Sequence, residues 1–178
     1  MTALREAVRE ATHTLAEAGV ASAPVDALVL AAHALGVEVS EARRLLVLGG
    51  VDVPLEYAAL VAERARRVPL QHLTGEAHFR GLTLRVGPGV FIPRPETETL
   101  VSLAIDAIDA AAPETDRPLT VVDLCTGSGA IALSLKAERP DLQVRAIEAD
   151  PLAHAWAVAN RDRLGLDVQV DLGDARTA

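Results

Sequence analysis

Apolar residues recur at helical spacing through the first third of the chain. Leu4, Val8, Ala11 and Leu15 stand three or four positions apart, and Gly19 ends this first predicted helix. Three further helices are predicted where serine, aspartate or proline favours a helix start: Ser22 to Gly36, Ser40 to Leu48, and Asp52 to about Arg67. Ser22, Ser40 and Asp52 are their expected N-caps.

These four helices define the first predicted domain. Residues 1–68 are expected to form a small helical bundle, which has no catalytic constellation of its own. The pattern then alternates with a period of two from His78 to Val86 around Gly81, which predicts a β-hairpin connector over residues 69–90. Two prolines flank Arg94, so residues 91–95 are expected to be extended rather than helical.

The last third of the chain alternates between strands and helices. A buried strand is predicted at Leu119 to Leu124, and two further strands are predicted at Gln143 to Ile147 and at Val168 to Leu172. Helices are predicted from Ala130 to Arg139 and from Asp150 to Leu164, the second with a proline at its first position. This order predicts a parallel, doubly wound α/β sheet, which assigns residues 91–178 to a second domain.

Composition narrows the classes of function. The 178 residues are 50% hydrophobic with a formal net charge of −8, which disfavours a broad nucleic-acid or anionic-membrane surface. Cys125 is the single cysteine, so an internal disulfide is excluded, and the histidines lack metal-ligand spacing. The first 18 residues carry both charge signs and no long apolar run follows, so we expect a cytoplasmic protein without a membrane span.

The turn after the first predicted strand carries the chemistry. Asp123 is followed by Leu-Cys-Thr-Gly-Ser-Gly, and glycines there allow a sharp turn and the close approach of a ligand. The helix that begins at Ala130 points its N-terminal N–H groups at the turn. Glu148 lies nineteen residues after Gly129, an offset that suits a carboxylate binding a ribose diol. The combination indicates a nucleoside cofactor.

Two cofactors compete for this turn. Residues 127–132 also fit the G-x-G-x-x-A pattern of NAD-binding proteins. Asp123 favours S-adenosyl-L-methionine, because a carboxylate is awkward beside a pyrophosphate and welcome beside the methionine amine. Asp174 follows the third strand, where it could accept from an adenine amino group. Asp123 could instead cap the following helix or hold the loop, and Glu148 could be a solvated strand end.

Three segments carry a resemblance to a known family. His72–Gly75 with Phe79, the Phe-Ile-Pro-Arg-Pro-Glu-Thr-Glu segment at residues 91–98, and the turn at residues 123–132 resemble the release factor glutamine methyltransferases, the PrmC or HemK family. The likeness runs nearly end to end, and the proline-arginine segment is its most specific part. It implies a helical bundle, a β-hairpin connector and the first half of a Rossmann-like class I methyltransferase sheet.

The resemblance also implies a reaction and its participants. The methyl group of S-adenosylmethionine would pass to the side-chain amide nitrogen of glutamine in the Gly-Gly-Gln motif of peptide chain release factors, which the helical domain helps to bind. The cofactor-binding residues carried over from the family are Asp123, Cys125, Thr126, Gly127, Ser128, Gly129, Glu148, Asp174 and Ala175. Phe91, Arg94 and Glu98 are candidates for the site mouth, as contacts or as structural residues.

The chain departs from the family pattern in two places. Cys125 stands where many methyltransferases have glycine, which is tolerable if that residue needs no positive φ. The family's Asn-Pro-Pro-Tyr motif does not occur in the 178 residues. We therefore expect either a fragment of a longer enzyme or a chain completed by dimer packing. The chain alone is expected to be inactive and to have an exposed sheet edge. A nucleic-acid amino methyltransferase and a binding module without catalysis are the alternatives.

Overall fold

The computed structural model describes residues 2–111 and 118–176. The chain forms two compact units, Met1–Thr74 and Gly75–Ala178. Among the described residues, no single helix is long and apolar enough to cross a membrane, whereas two helices joined by a 96° bend, Ala23–Leu35 and Val39–Leu48, reach that threshold together by length and composition.

The first unit is a bundle of short helices with one two-residue strand pair. Its core is built from leucine, alanine, Tyr57 and Val61, and the Tyr57 hydroxyl donates to the carbonyl of Ala27 at 3.0 Å. Strand β1 (Thr2–Ala3) pairs antiparallel with β2 (Asp52–Val53). The helices are α1 (Leu4–Glu17), α2 (Ala23–Leu35), α3 (Val39–Leu48), α4 (Glu56–Ala65) and α5 (Leu70–Thr74).

Helix starts in this unit correct part of the sequence interpretation. Glu38, not Ser40, is the N-cap of α3, and Ser40 lies in its first turn. Asp52 belongs to β2 rather than to a helix start, because it pairs with Ala3 across the unit, and α4 begins at Glu56. Residues 70–74 form α5 inside the stretch predicted as a hairpin connector.

The second unit contains the hairpin and the parallel sheet. Strands β3 (Glu76–Phe79) and β4 (Leu82–Arg85) pair antiparallel around Arg80 and Gly81. The parallel sheet contains β5 (Thr120–Leu124), β6 (Gln143–Glu148) and β7 (Val168–Leu172), which pair in that order. The helices of this unit are α6 (Thr97–Ala111), α7 (Ala130–Glu138) and α8 (Pro151–Leu164).

Local signals account for the ends of α8. The Asp150 side chain accepts from the backbone N–H groups of Leu152 and Ala153, and Pro151 occupies the first turn. Gly165 ends the helix in the left-handed conformation at φ 65°, where glycine carries no Cβ penalty. These features confirm the predicted start at Asp150 and the end after Leu164.

Strand β5 is less buried than its sequence suggested. Val122 and Leu124 are 47% and 52% exposed, whereas Asp123 between them is buried. Within the described residues, β5 pairs with β6 alone and is therefore an edge of the sheet. The prediction of a buried strand is wrong for the chain as described, because no described element covers this face of β5.

Candidate functional site

The carboxyl ends of the three parallel strands lie at one edge of the sheet. This edge contains residues 125–129, called the glycine turn below, together with Glu148 and residues 173–174. The backbone N–H groups of Cys125 and Thr126 both donate to the carbonyl of Ile147, at 2.8 and 3.1 Å. The N–H of Gly173 donates to the carbonyl of Glu148 at 2.9 Å. Ligands of open α/β sheets bind at this edge.

The turn itself needs the left-handed region three times. Gly127 and Gly129 have φ values of 60° and 85°, as a tight turn before a helix requires. Cys125 has φ 62°, so the condition under which a cysteine would be tolerated here, that the position needs no positive φ, is not met. A non-glycine residue there costs roughly 1–2 kcal/mol of backbone strain. A Cβ added at Gly127 would meet no atom within 4 Å, so the space before the turn is open.

Asp123 is a buried carboxylate with one oxygen engaged. Oδ2 accepts from the Thr126 hydroxyl at 2.6 Å and from the Ala132 backbone N–H at 3.2 Å. Oδ1 accepts no hydrogen bond from the described residues. Burial raises the pKa of Asp123, the bonds from Thr126 and Ala132 lower it, and the nearby Glu148 carboxylate raises it. The side chain both holds the turn and leaves an oxygen for a cationic ligand.

Glu148 is bound to the turn by its own side chain. Oε2 accepts from the N–H of Gly127 at 2.8 Å, and Oε1 accepts from the N–H groups of Ala149 and Asp150 at 2.9 and 3.0 Å. A carboxylate has about four acceptor positions, so three bonds leave about one position for a ribose hydroxyl. Glu148 can therefore keep the turn in place while it accepts from one ligand hydroxyl.

Asp174 and Ala175 follow β7 at the same edge. The Asp174 carboxylate accepts from the backbone N–H and the guanidinium of Arg176. The bonds from Arg176 lower the pKa of Asp174. Asp174 is thus an ionised acceptor that directly follows Gly173, the residue whose N–H binds the Glu148 carbonyl.

The three candidates for the site mouth behave differently from one another. Glu98 accepts from the backbone N–H of Arg80 at 3.0 Å, so it holds the hairpin turn against α6. The Arg94 guanidinium stacks over the Phe91 ring at 5.1 Å from its centroid, and Phe91 is 67% exposed. Among the described residues, no hydrogen bond or ion pair joins Phe91, Arg94 or Glu98 to the glycine turn.

Two polar residues that the sequence interpretation missed organise the second unit. Arg80 joins the hairpin to α6 and α7 through hydrogen bonds to Glu98, Ser102 and Glu138. Asn160 lies fully buried in α8 and reaches both β4 and the turn. Each acts across long separations in sequence, so no local pattern marks it, although a single asparagine within an Ala-rich helix is unusual enough to be noticed.

The site defines a class of protein. A glycine turn, a helix N-terminus, a buried carboxylate and an acidic residue at the next strand end, all on a parallel sheet, are the parts of a nucleoside-cofactor site. Asp123 is a buried carboxyl group with one oxygen bound to the turn, so its other oxygen can accept a hydrogen bond from a ligand.

Comparison with known proteins identifies the relatives. Residues 6–75 match the PrmC N-terminal domain. The release factor glutamine methyltransferase of Mycolicibacterium smegmatis is 49% identical over 171 residues, which is 94% of this chain. That of Streptomyces coelicolor is 47% identical over 178 residues, which is the whole chain. Residues 6–75 therefore match the PrmC N-terminal domain, and the whole chain is similar in sequence to the release factor glutamine methyltransferases.

The relatives are longer than this chain. The aligned region covers 57% of the M. smegmatis protein and 60% of the S. coelicolor protein. Among solved structures, the SAM-dependent methyltransferase from Agrobacterium tumefaciens aligns with 54% of this chain and 30% of its own, at 25% identity and a TM-score of 0.41. That partial likeness adds nothing to the description of the site.

Proposed function

We propose that this chain is the substrate-recognition and cofactor-binding part of a release factor glutamine methyltransferase. The reaction transfers a methyl group from S-adenosylmethionine to the side-chain amide nitrogen of the glutamine in a Gly-Gly-Gln motif. The supporting observation is a relationship of 47–49% identity over 94–100% of the chain, which includes the glycine turn and its acidic partners. The reducing cytoplasm, where a single cysteine stays a thiol, is the proposed compartment.

The described residues fit S-adenosylmethionine better than NAD. When bound, this cofactor supplies a methyl group activated by attachment to a sulfonium. Asp123 Oδ1 would accept from the methionine ammonium, and a charge-assisted bond of this kind is about twice as strong as a neutral one. A pyrophosphate at the same place would bring two further negative charges to a buried carboxylate, which is costly.

The other residues have separate roles in this proposal. Glu148 accepts from one ribose hydroxyl through Oε2 and holds Gly127 through the same oxygen. Asp174 accepts from the adenine amino group, with Ala175 beside it.

The backbone of the turn has small residues that admit the cofactor: Cys125, Thr126, Ser128 and Gly129. Phe91 and Arg94 remain proposed for the mouth of the site.

Transfer to an amide needs residues that these 178 do not include. An amide nitrogen is a poor nucleophile because its lone pair is delocalised, so the acceptor must be held and aimed at the methyl carbon. In the family resemblance, an Asn-Pro-Pro-Tyr motif does this, and the motif does not occur in this sequence. We expect the 178-residue chain to bind cofactor without methylating a release factor.

A chimera tests the proposed reaction. The 178 residues would replace the aligned 60% of the S. coelicolor relative, and transfer of tritiated methyl from labelled S-adenosylmethionine to a release factor would be counted. We expect label in the release factor, none after Gln→Ala in its Gly-Gly-Gln motif, and none from the 178-residue chain. Label that persists in the Gln→Ala release factor, or that enters DNA instead, would refute the proposal.

A further inference from the structure

One buried amide side chain joins three parts of the second unit. Asn160 in α8 is 0% exposed and is the only asparagine in the sequence. A buried primary amide is costly unless its oxygen and both N–H groups have partners. Asn160 has all three, and they lie on two other segments of the chain.

The first segment is the end of the hairpin. Asn160 Oδ1 accepts from the backbone N–H of Arg85 at 2.6 Å, and Nδ2 donates to the Arg85 carbonyl at 2.9 Å. Arg85 is the last residue of β4. The side-chain amide thus binds both backbone groups of one residue, as the backbone of a neighbouring strand would.

The second segment is the glycine turn. Nδ2 also donates to the carbonyl of Ser128 at 3.0 Å. The next N–H, that of Gly129, belongs to the same peptide group and donates to the carbonyl of Thr126 at 2.9 Å. This peptide group is therefore held at both ends, and it cannot rotate without leaving the buried Asn160 amide unpaired.

Close packing removes the remaining freedom at this position. Gly129 has φ 85°, and a Cβ added there would lie 2.8 Å from Leu133 Cδ1. Gly129 is also the N-cap of α7, so the orientation of the peptide before it sets where the helix begins and where its first N–H groups point. Asn160 on α8 therefore holds the glycine turn in one conformation in the absence of ligand.

We propose that Asn160 is a positioning residue for the nucleoside cofactor: through the Ser128 carbonyl it fixes the glycine turn in its binding conformation, and through Arg85 it makes that conformation depend on the hairpin. Asn160 does not touch the cofactor. The inference rests on the proposed function for the identity of the ligand, whereas the geometry of the turn can be measured without any ligand.

Trp156 supplies a matched control on the same helix. Its Nε1 donates to the carbonyl of Pro88 at 3.2 Å, so it too ties α8 to the segment after the hairpin. No described hydrogen bond joins Trp156 to the glycine turn. Trp156→Phe removes the bond and keeps an aromatic ring, whereas Asn160→Ser removes the amide that reaches both Arg85 and Ser128.

The experiment compares both variants with the unaltered 178-residue chain. S-adenosylhomocysteine affinity is measured by calorimetry, and the backbone amide resonances of residues 127–129 are recorded by nitrogen-15 NMR without ligand. We expect Asn160→Ser to weaken binding about tenfold and to shift these resonances. We expect Trp156→Phe to bind within about twofold, an effect below one hydrogen bond, with the same resonances unmoved.

The outcomes separate this inference from the proposed function. If the unaltered chain binds no S-adenosylhomocysteine, the proposed function fails, and the resonances alone decide the role of Asn160. Unchanged resonances and affinity in a folded Asn160→Ser chain would overturn the inference, as would equal losses in both variants.

A measurement on the unaltered chain covers the case in which Asn160→Ser does not fold. The two Nδ2 protons of Asn160 should exchange with solvent at least about a hundredfold more slowly than those of the exposed Gln143. Exchange at similar rates would mean that the amide is not held between Arg85 and Ser128, and the inference would be wrong.

Discussion

The two oxygens of the Asp123 carboxylate have different surroundings. Its Oδ2 accepts two bonds that close the turn onto α7, while Oδ1 accepts none from the described residues. Glu148 divides its bonds similarly, with three backbone N–H groups bound and about one acceptor position left. Both carboxylates stabilise the turn, and in the proposed function Asp123 would also accept from the ammonium group of the cofactor.

Asp123→Asn should separate stability from binding. The asparagine Oδ1 can still accept from Thr126 and Ala132, while its NH₂ group would face the ligand ammonium. We expect S-adenosylhomocysteine affinity to fall about tenfold or more, because a charge-assisted bond is lost, and Tm at neutral pH to hold or rise. Calorimetry and circular dichroism measure the two effects. A large fall in Tm with unchanged affinity would contradict the assignment.

The difference in Tm between Asp123→Asn and the unaltered chain should change with pH in a direction set by the raised pKa of Asp123. Burial raises the pKa of Asp123 in the folded chain, so its protonated form is favoured by folding. Its favourable contribution is complete below the unfolded pKa of about 3.9 and is lost as pH rises through the folded value. The Tm of Asp123→Asn minus that of the unaltered chain should therefore grow as pH rises from about 4 toward 7. A constant difference would contradict the raised pKa.

Cys125 offers a test of backbone strain. At φ 62°, replacement by β-branched valine should lower Tm, whereas glycine should leave it unchanged or raise it by removing strain of about 1–2 kcal/mol. Alanine, which keeps the Cβ and removes sulfur, is the control and should match the cysteine. Thermal unfolding followed by circular dichroism measures the series. Valine as stable as glycine would show that the turn does not require positive φ.

The segment after the hairpin, Gly87 to Gly89, packs closely against α8. A Cβ added at Gly87 would lie 2.6 Å from Trp156 Cζ2, and one at Gly89 would lie 2.8 Å from Leu152 Cβ. Trp156 also donates to the Pro88 carbonyl. Two glycines and a proline thus let the backbone lie against the helix where side chains would keep it away.

Gly87→Ala should therefore destabilise the second unit. The added methyl group must displace Trp156, and overpacking of this kind costs about 1–3 kcal/mol. Gly81→Ala is the control, because a Cβ there meets nothing within 4 Å and the residue does not have positive φ. Urea denaturation gives both free energies of unfolding. Equal effects for the two substitutions would mean that the contact with Trp156 does not form.

Prediction from sequence succeeded where signals are local. Asp150 with Pro151 marked the start of α8, and Gly165 marked its end, because caps act within a few residues. Asp52 misled for the complementary reason: it pairs with Ala3, and that partner cannot be read from its neighbours. Spacing predicted candidate site residues on the turn, and the structure brings Asp123, Thr126 and Glu148 to it. Asn160 was missed because its partner Arg85 lies 75 positions away.

At the scale of the whole molecule, each unit carries its own optical probe. The single tyrosine, Tyr57, is buried in the first unit, and the single tryptophan, Trp156, lies in the second. Ligand that binds only the folded chain stabilises it, by about 2.7 kcal/mol at a hundred times Kd. S-adenosylhomocysteine should therefore raise the urea midpoint reported by Trp156 fluorescence. If the urea midpoint reported by Trp156 does not move at saturating S-adenosylhomocysteine, the ligand does not bind the second unit.

We propose that the edge formed by the ends of β5, β6 and β7 binds S-adenosylmethionine rather than a dinucleotide. Isothermal titration of the 178-residue chain with S-adenosylmethionine and with NAD distinguishes the two ligands. We expect saturable binding of S-adenosylmethionine at one site, weakened in Asp123→Asn, and weaker or undetectable binding of NAD. Tighter binding of NAD, or S-adenosylmethionine binding that Asp123→Asn leaves unchanged, would show that this edge is not the proposed cofactor site.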